Sequence, residues 1–379
     1  MNDTPARFEF TGTAREYFRI WIVNVFLTIV TLGIYSAWAK VRKERYFHGN
    51  TILDGHRFDF VADPVRILRG RLLAVLALVT YTAIWQLQPQ FGLYAFTALV
   101  LALPALIVLS VGFRLHNTTH RNIRFGLRRD VFGLYRAIGV PVLVALVVAW
   151  VGDTLLADWK TTLAAESAGQ PAAISFGPLF FMLALLPLIP YLDFARSRYL
   201  AANARFGSRA LGFDAGAGDF YGVYLLTALI WFVATVGFVL LAGLLAAQAA
   251  TLLKGMGVDN QTVAITAMVI AYMAWFFVWG FFTARRRNLL NGALRVGDAK
   301  VVSRLRGRVI GWLYLSNTIA IILSVGLLIP WATIRTARYV ASRTELDAAG
   351  LESVASARGT ERSAVGEEIG DAFGYDLGF

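Results

Sequence analysis

The sequence predicts an all-α membrane bundle with six full spans, two flanking apolar segments that either span or re-enter, and short cytoplasmic β-hairpins. Composition is the first reason. The 379-residue chain is 57% hydrophobic and only 16% charged, whereas an average soluble protein is about 25% charged. The second reason is that runs of about 20 apolar residues, enough to cross a bilayer, recur along the whole chain. A soluble fold could not bury so much apolar surface.

Windowed hydropathy locates the individual spans. The six full spans are predicted at 68–88, 92–113, 137–157, 176–195, 220–248 and 262–284. The two flanking apolar segments cover residues 20–39 and 309–334. Together they assign residues 1–343 to one integral membrane domain. Residues 344–379 are acidic and rich in Ala, Ser and Gly, a composition typical of a disordered tail.

The net charge of +12 is unevenly distributed between the connections. Four connections are rich in arginine and lysine: 40–71, 114–136, 193–219 and 285–308. Three carry few basic residues: 86–93, 153–175 and 249–261. The positive-inside rule therefore puts the basic connections in the cytoplasm and the others in the periplasm of a bacterial inner membrane. Nucleic-acid binding is not expected, because no basic stretch alternates with exposed aromatic residues on a soluble fold.

The first and last apolar segments repeat each other without a gap. The matching pairs are Asn24 with Asn317, Gly33 with Gly326, Trp38-Ala39 with Trp331-Ala332, Arg42 with Arg335, and Arg45-Tyr46 with Arg338-Tyr339. This agreement predicts N- and C-terminal structural repeats at about 8–60 and 299–343.

Short segments with turn and strand character follow the apolar runs, at 49–60, 203–213 and 291–302. Asp54-Gly55 is a favoured two-residue hairpin turn, and residues 57–60 alternate as a strand does. Phe8-Glu9-Phe10 has the same character before the first apolar run. We expect these pieces to form a small cytoplasmic β-layer; the alternative is irregular loops at the membrane surface.

The opening of the chain carries a family resemblance, most specific at Thr31-Leu32-Gly33-Ile34-Tyr35, Trp38-Ala39 and Arg45-Tyr46. These residues resemble the YjgN-like family of uncharacterised bacterial inner-membrane proteins, and the hydrophobic layout is similar over nearly the whole chain. The resemblance implies a multi-span inner-membrane protein. It implies no activity and carries no functional residue over to this sequence.

The flanking segments allow two topologies. Eight full crossings would put both termini in the periplasm, with Arg335, Arg338 and Arg343 on the wrong side for the positive-inside rule. If each segment instead turns back near Gly33 or Gly326, both termini are cytoplasmic. Such a re-entrant hairpin requires other helices to cover the backbone groups of its turn. Both topologies stay open, and in either case the termini share a side.

Three polar residues are candidates for substrate contact or helix packing. Asn24 and Asn317 lie at membrane depth, where an amide needs a partner, and the two could bond each other. Either they join helices or they face a substrate at a pseudo-symmetric site. Asp193 follows two prolines at a cytoplasmic helix end. It either forms a salt bridge with Arg196 or Arg198 or, if buried, couples proton movement.

A second set of candidates repeats in register at the cytoplasmic interface. The members are basic or amphipathic: Arg42, Arg45, Tyr46, Arg335, Arg338 and Tyr339. They either anchor the helices at the interface or bind anionic lipid headgroups. Membrane lipids are therefore the expected partners, and no protein partner can be named.

Catalytic chemistry finds little support. The chain has no cysteine and four histidines. His116 and His120 have a spacing that would suit a metal on one helix, but Arg114 and Arg121 beside them repel cations. No catalytic or nucleotide-binding motif is present, so we expect no enzyme, no metal and no cofactor.

Two functions remain. The first is a protein that binds or moves a small solute or lipid; the alternative is a structural or regulatory scaffold that recruits a cytoplasmic partner. A polar cavity reaching Asn24 and Asn317 would favour the first. A tightly packed apolar core at the same place would favour the second.

Overall fold

The computed structural model describes residues 5–167, 183–252, 260–297 and 299–347. The chain divides into two compact units. Unit 1 comprises Met1–Val25, Tyr46–Phe58 and Asp214–Ser353, and unit 2 comprises Phe26–Arg45, Asp59–Phe213 and Val354–Phe379. Residues 348–379 of the predicted acidic tail lie outside the described part of the chain. The first residues of that tail, Thr344–Leu346, form a strand.

One order of elements occurs five times in the described residues: a five-residue strand, two helices and a three-residue strand. The first two copies are β1 (Ala6–Phe10), α1 (Ala14–Val30), α2 (Ser36–Gly49), β2 (Thr51–Leu53) and β3 (His56–Phe60), α3 (Pro64–Leu87), α4 (Gly92–His116), β4 (Thr118–His120). The third and fourth are β5 (Ile123–Leu127), α5 (Val131–Ser167), α6 (Leu188–Asn203), β6 (Ala204–Phe206) and β7 (Arg209–Phe213), α7 (Ala217–Leu252), α8 (Asn260–Ala293), β8 (Leu294–Val296). The fifth is β9 (Ala299–Ser303), α9 (Gly307–Leu323), α10 (Ile329–Ala341), β10 (Thr344–Leu346). The two repeats found in the sequence, at about 8–60 and 299–343, correspond to the first and fifth copies.

Local chemistry sets the boundaries of these elements. Asp63 caps α3 by accepting a hydrogen bond from the Val65 amide (2.9 Å), and Pro64 occupies the first turn, where no amide donor is needed. Asn50, Asn117 and Asn203 each precede a short strand and donate to the carbonyl four residues back. This bond satisfies a carbonyl of the last helical turn as the chain leaves the helix.

The strands of each unit pair antiparallel. In unit 1 the order is β3-β2-β1-β10-β9-β8, with Phe8 opposite Leu53 and Thr344 opposite Ser303. In unit 2 the order is β4-β5-β6-β7. Asp54 and Gly55 have φ of 50° and 70°, as a type I′ hairpin turn requires. Strands therefore lie where the sequence predicted them at 8–10, 49–60, 203–213 and 291–302, while β4, β5 and β10 were not predicted.

The predicted all-α class with six spans is wrong. Ten strands occur among the described residues, and four helices there are long and apolar enough to cross a membrane: Pro64–Leu87, Pro89–His116, Val131–Val151 and Ala217–Leu240. These four overlap the predictions at 68–88, 92–113, 137–157 and 220–248. The prediction at 262–284 lies within α8, which is not one of the four, and 176–195 lies partly outside the described residues. A hydropathy window measures apolar content over about 19 residues, so it cannot detect strands of three to five residues.

The four apolar helices keep their apolar residues on the outside. Between 0% and 22% of each apolar window is buried within the protein. Large side chains such as Leu76, Val140 and Leu240 are more than half exposed. A soluble protein rarely exposes continuous apolar surface of this extent, whereas a lipid-facing helix does so by necessity. The surface thus agrees with a membrane setting for these helices.

Neither flanking segment forms one continuous helix. The first breaks between α1 and α2, at Leu32 (φ 50°) and Gly33 (φ 92°); the last breaks between α9 and α10, at Val325 (φ 50°) and Gly326 (φ 88°). The amide of each glycine donates to the carbonyl five residues back, over 2.8 Å, which is the pattern of a Schellman helix end. β1 pairs with β2, and β9 with β10, so each helical hairpin returns to the strands from which it starts. The re-entrant topology requires this geometry.

The buried core lies where the strands meet the helix ends. In unit 1, Phe10, Tyr17 and Ile334 form one cluster, and Ala284, Leu305 and Ile310 form another. In unit 2 the core contains Phe60, Phe113, Ile67, Ala37, Val41 and Ala62. The helix ends next to the strands are therefore the well-packed part of the molecule.

Candidate ligand groove

Tyrosines occupy the same position in three of the copies, and each joins the end of its helical hairpin to the beginning. Each lies five residues before the short strand of its copy. The hydroxyl of Tyr46 accepts from the Thr13 amide (2.8 Å), and that of Tyr339 accepts from the Arg306 amide (3.0 Å). The hydroxyl of Tyr199 donates to the Asp130 carbonyl. All three backbone groups belong to the residue just before the first helix of the copy, so the tyrosine joins the end of the hairpin to its beginning.

Burial affects the titration of two of these phenols. It raises the pKa of Tyr199 to about 12, with the nearby Asp130 carboxylate as a second cause. Burial is also the largest influence on Tyr46. The hydrogen bond with the Thr13 backbone lowers the pKa of this phenol, but burial together with the nearby Glu16 carboxylate outweighs it and raises the pKa. Both phenols are therefore neutral at any physiological pH, and they act as hydrogen-bonding groups of the scaffold.

The position six residues before the short strand connects one copy of the pattern to the next. It precedes the tyrosine in the first and fifth copies, and Leu289 in the fourth. Arg45 Nε donates to the Phe60 carbonyl (3.3 Å), Asn288 Nδ2 to the Leu305 carbonyl (2.9 Å), and Arg338 Nη2 to the Gly12 carbonyl (3.1 Å). Each acceptor lies at or just beyond the long strand of the next copy, and for Arg338 that copy is the first. Arg45 and Arg338, predicted to bind lipid headgroups, thus hold backbone carbonyls.

The other two arginines of that prediction also have partners inside the protein. Arg42 Nη1 donates to the Tyr35 hydroxyl (3.2 Å). Arg335 Nη1 donates to Ser316 Oγ (2.6 Å) and Asn317 Oδ1 (3.2 Å), and its guanidinium lies 5.2 Å from the centre of the Trp331 ring. Arg335 therefore braces α10 against α9.

Asn317 is buried, with 7% of its surface exposed. Its amide nitrogen donates to the Ala332 carbonyl (3.3 Å) and to Thr336 Oγ1 (3.1 Å), and its oxygen accepts from Arg335. These bonds lie within the α9–α10 hairpin and do not involve Asn24, which is also buried (8% exposed). The side chain of Asn317 thus has the internal partners that an amide at membrane depth needs.

A groove of about 970 Å³ opens beside Asn317 in unit 1, bounded by α8, α9, α10 and the strands β1 and β2. Aromatic rings form much of its wall: Phe8, Phe10, Phe47, Trp275, Trp279 and Tyr314. Small and hydroxyl-bearing residues of α9 and α10, among them Thr318, Thr333 and Thr336, form the facing side. Asn317 lines this groove, whereas Asn24 does not.

Glycines let two helices of the groove approach to backbone contact. A Cβ atom at Gly280 of α8 would lie 2.3 Å from the Gly311 nitrogen of α9, and one at Gly311 would lie 2.8 Å from Phe277 Cα. Gly307 and Gly311 are four residues apart and form a GxxxG motif, which permits close packing of helices in membranes. This contact fixes the distance between the two helices that carry Trp275 and Tyr314.

Sequence comparison adds the family. The model of a family described as "Bacterial protein of unknown function (DUF898)" matches residues 5–372. The chain belongs to the DUF898 family.

Relatives of this DUF898 chain agree with the resemblance seen in its first residues. It is 24% identical over 361 residues to the Inner membrane protein YjgN of Escherichia coli O157:H7, covering 91% of this chain and 89% of the relative. A relative of the same name in Escherichia coli K12 is 24% identical over 366 residues, with the same coverage. One in Salmonella typhimurium LT2 is 30% identical over 141 residues, 36% of each chain. No solved structure matches. The relatives and the apolar helices together identify a membrane protein of a family without an assigned function.

Other predicted residues of the DUF898 chain do not line the groove. Asp193 is buried in α6 and belongs to unit 2. His120 is buried in β4. His116 is the last residue of α4, and its Nε2 lies 3.2 Å from Arg124 Nη1. These two histidines are therefore not on one helix, and the described residues contain no group of three His, Cys, Asp or Glu side chains suited to a metal.

Sequence reasoning missed Arg287 and Asn291, which line the groove near the end of α8. It also missed the lining face of α10. A signal for that face exists in the chain, because Thr333, Thr336, Ala337 and Val340 recur at helical spacing and all line the groove. No signal in one sequence places α8 opposite that face.

Proposed function

We propose that this chain is a multi-pass protein of the bacterial inner membrane that binds or moves a small solute or lipid, without catalysing a reaction. The groove beside Asn317 is the observation that carries the proposal. Its volume of about 970 Å³ is at the upper end of the range of about 300–1,000 Å³ typical of ligand pockets. Such a space suits an organic molecule better than an inorganic ion.

The chemistry of the wall favours an amphiphilic molecule. Aromatic rings dominate one side of the groove, and hydroxyl and amide groups interrupt the other. Apolar walls with a few placed polar groups are what ligand sites usually present. A scaffold without a ligand would gain stability by filling this space, since protein interiors are normally close-packed.

The topology we propose has basic connections and both termini in the cytoplasm. Two observations support it. The positive-inside rule assigns the basic connections to the cytoplasm. In addition, β1 pairs with β10, so the first and last described segments lie side by side. The helical hairpins α1–α2 and α9–α10 then enter the membrane and return.

Filling the groove tests the function. Thr318→Trp adds an indole on the lining face of α9. Ile319→Trp makes a matched change on the same helix, at a side chain that is 41% exposed and outside the groove. Each protein is purified from bacterial membranes in mild detergent, and bound molecules are extracted and quantified by mass spectrometry.

We expect one amphiphile to accompany the wild type and Ile319→Trp in fixed proportion, and to be depleted severalfold in Thr318→Trp. Thermal unfolding of all three proteins verifies that they fold. Equal amounts of every bound molecule in folded Thr318→Trp and Ile319→Trp would contradict the proposal.

A further inference from the structure

Most polar groups on the groove wall already have partners. The hydroxyls of Thr333 and Thr336 donate to backbone carbonyls four residues back, as do those of Thr51 and Thr344. Asn317 is bonded within its hairpin. These groups therefore require nothing from a ligand, although their oxygens can still accept a bond.

Arg287 and Asn291 differ from the rest of the wall. They are four residues apart and hence on one face of α8. Arg287 is exposed, and neither side chain has a hydrogen-bond or ion-pair partner among residues 5–167, 183–252, 260–297 and 299–347. Their donors are thus available to a molecule in the groove.

The charge of the groove selects the sign of that molecule. Arg287 is the single charged residue of the described wall, which contains no carboxylate. A guanidinium offers a planar fork of donors that matches the oxygens of a phosphate or carboxylate. The amide of Asn291 can add one more donor. This end of the groove is therefore complementary to an anion.

The other end of the groove is apolar. Trp275, Phe276 and Ile321 line it. Trp275 precedes Arg287 by twelve residues of α8, or about 18 Å at 1.5 Å per residue. One leaflet of hydrocarbon is about 15 Å deep, half of the full core. The apolar part of the groove thus has the length of a lipid chain rather than that of a small polar solute.

We propose that the groove holds one anionic phospholipid, with its phosphate on Arg287 and Asn291 and an acyl chain along Trp275, Phe276 and Ile321. The inference rests on the proposed function and names its ligand. The headgroup site is distinct from the interface arginines Arg42, Arg45, Arg335 and Arg338, each of which donates a hydrogen bond to another group of the protein.

The test compares two charge-neutralising variants of one helix. Arg287→Gln removes the proposed headgroup contact. Arg285→Gln removes the same charge two residues away, at an exposed side chain that lies over Phe281 and does not line the groove. Wild type, both variants and Asn291→Ala are reconstituted into vesicles of equal parts phosphatidylglycerol and phosphatidylethanolamine. They are re-extracted, and retained lipid is counted by native mass spectrometry.

Wild type and Arg285→Gln should retain the anionic lipid in preference to the zwitterionic one. Arg287→Gln should lower that preference about tenfold, which corresponds to about 1.4 kcal/mol. Asn291→Ala should lower it severalfold. An unchanged preference in Arg287→Gln, or an equal loss in Arg285→Gln, would overturn the headgroup assignment.

Failure of this inference can be told apart from failure of the proposed function. If Thr318→Trp loses its bound lipid while Arg287→Gln keeps the wild-type preference, the groove binds a ligand but not in this way. If Thr318→Trp retains lipid like the wild type, the groove is not the binding site and both proposals fall.

Discussion

The close approach of α8 to α9 makes a stability prediction whose size can be worked out. In Gly280→Ala the new methyl group would lie 2.3 Å from the Gly311 nitrogen and 2.5 Å from Gly311 Cα, while ordinary contact begins at 3.4 Å. The helices must therefore separate by about 1 Å, because backbone atoms cannot rotate out of the way. Overpacking of a core costs about 1–3 kcal/mol.

Helix propensity offsets part of that cost. Alanine is more favourable than glycine in a helix interior by about 0.8–1.0 kcal/mol. Both atoms that the new methyl group meets, the Gly311 nitrogen and Cα, belong to the backbone. The cost of overpacking should therefore lie in the upper part of its range. We expect Gly280→Ala to lower the free energy of unfolding by about 1–2 kcal/mol. The separation also moves Trp275 away from Tyr314, so the groove should retain less lipid.

Gly292→Ala is the matched control, on the same helix. A Cβ there meets no atom within 4 Å, so this change should leave stability unchanged or raise it by up to about 1 kcal/mol. Equilibrium unfolding in detergent, followed by circular dichroism, measures both variants. If Gly280→Ala proved as stable as Gly292→Ala, the two helices could not be in backbone contact.

Three further predictions concern the brace, a buried phenol and the topology. Arg335→Gln should lower the free energy of unfolding by about 1.5–3 kcal/mol, because its charged hydrogen bonds are lost. The control Arg343→Gln, at an exposed side chain, should change it by no more than about 0.5 kcal/mol. Equal changes in the two variants would mean that Arg335 does not hold α10 against α9. Folding raises the pKa of Tyr199 from 10.0 to about 12, so the neutral phenol stabilises the fold fully below pH 10 and loses this effect between pH 10 and 12. Tyr199→Phe should lack this part of the pH dependence of the unfolding midpoint. A profile unchanged from the wild type would contradict the raised pKa of Tyr199. In intact cells, a membrane-impermeant thiol reagent should label a cysteine introduced at Gln88. It should not label cysteines introduced in the basic connections, at Asn50, Arg128, Ser208 or Gly297. Labelling of these four positions would contradict the proposed cytoplasmic location of the basic connections.

Local features of the fold could be predicted from the sequence because local chemistry determines them. Asp54-Gly55 specifies a tight turn, and the alternation from Arg57 to Phe60 specifies the strand that follows. The glycines at 33 and 326 occupy left-handed positions that interrupt an apolar run. The two breaks and the N- and C-terminal repeats were therefore visible without a structure.

The number of copies and the groove could not be predicted in the same way. Among the described helices of the middle copies, α6 has 16 residues and the other five have 24 to 37. The helices of the first and last copies have 13 to 17. Alignment of the short copies therefore does not extend to the long ones. The groove requires α8 to approach α9 at Gly280 and Gly311, and hydropathy along the chain contains no information about which helices meet.

The candidate residues show the same division between local and tertiary information. Sequence repetition located Asn317 and Arg335, and the structure places Asn317 on the groove and Arg335 beside it. Repetition could not show that Arg335 is engaged by Ser316 and Asn317, because that bond depends on the turn at Gly326. Arg287 lies outside the N- and C-terminal repeats, so their agreement did not single it out.

The most direct test of a ligand groove beside Asn317 is a cryo-electron microscopy map of the full chain in nanodiscs of bacterial lipid. We expect one elongated density between α8, α9 and α10, with a head at Arg287 and Asn291 and a chain reaching Trp275. A groove closed by its own side chains would contradict the proposal of a bound lipid. So would a groove without density in a map that resolves lipid around α3 and α4.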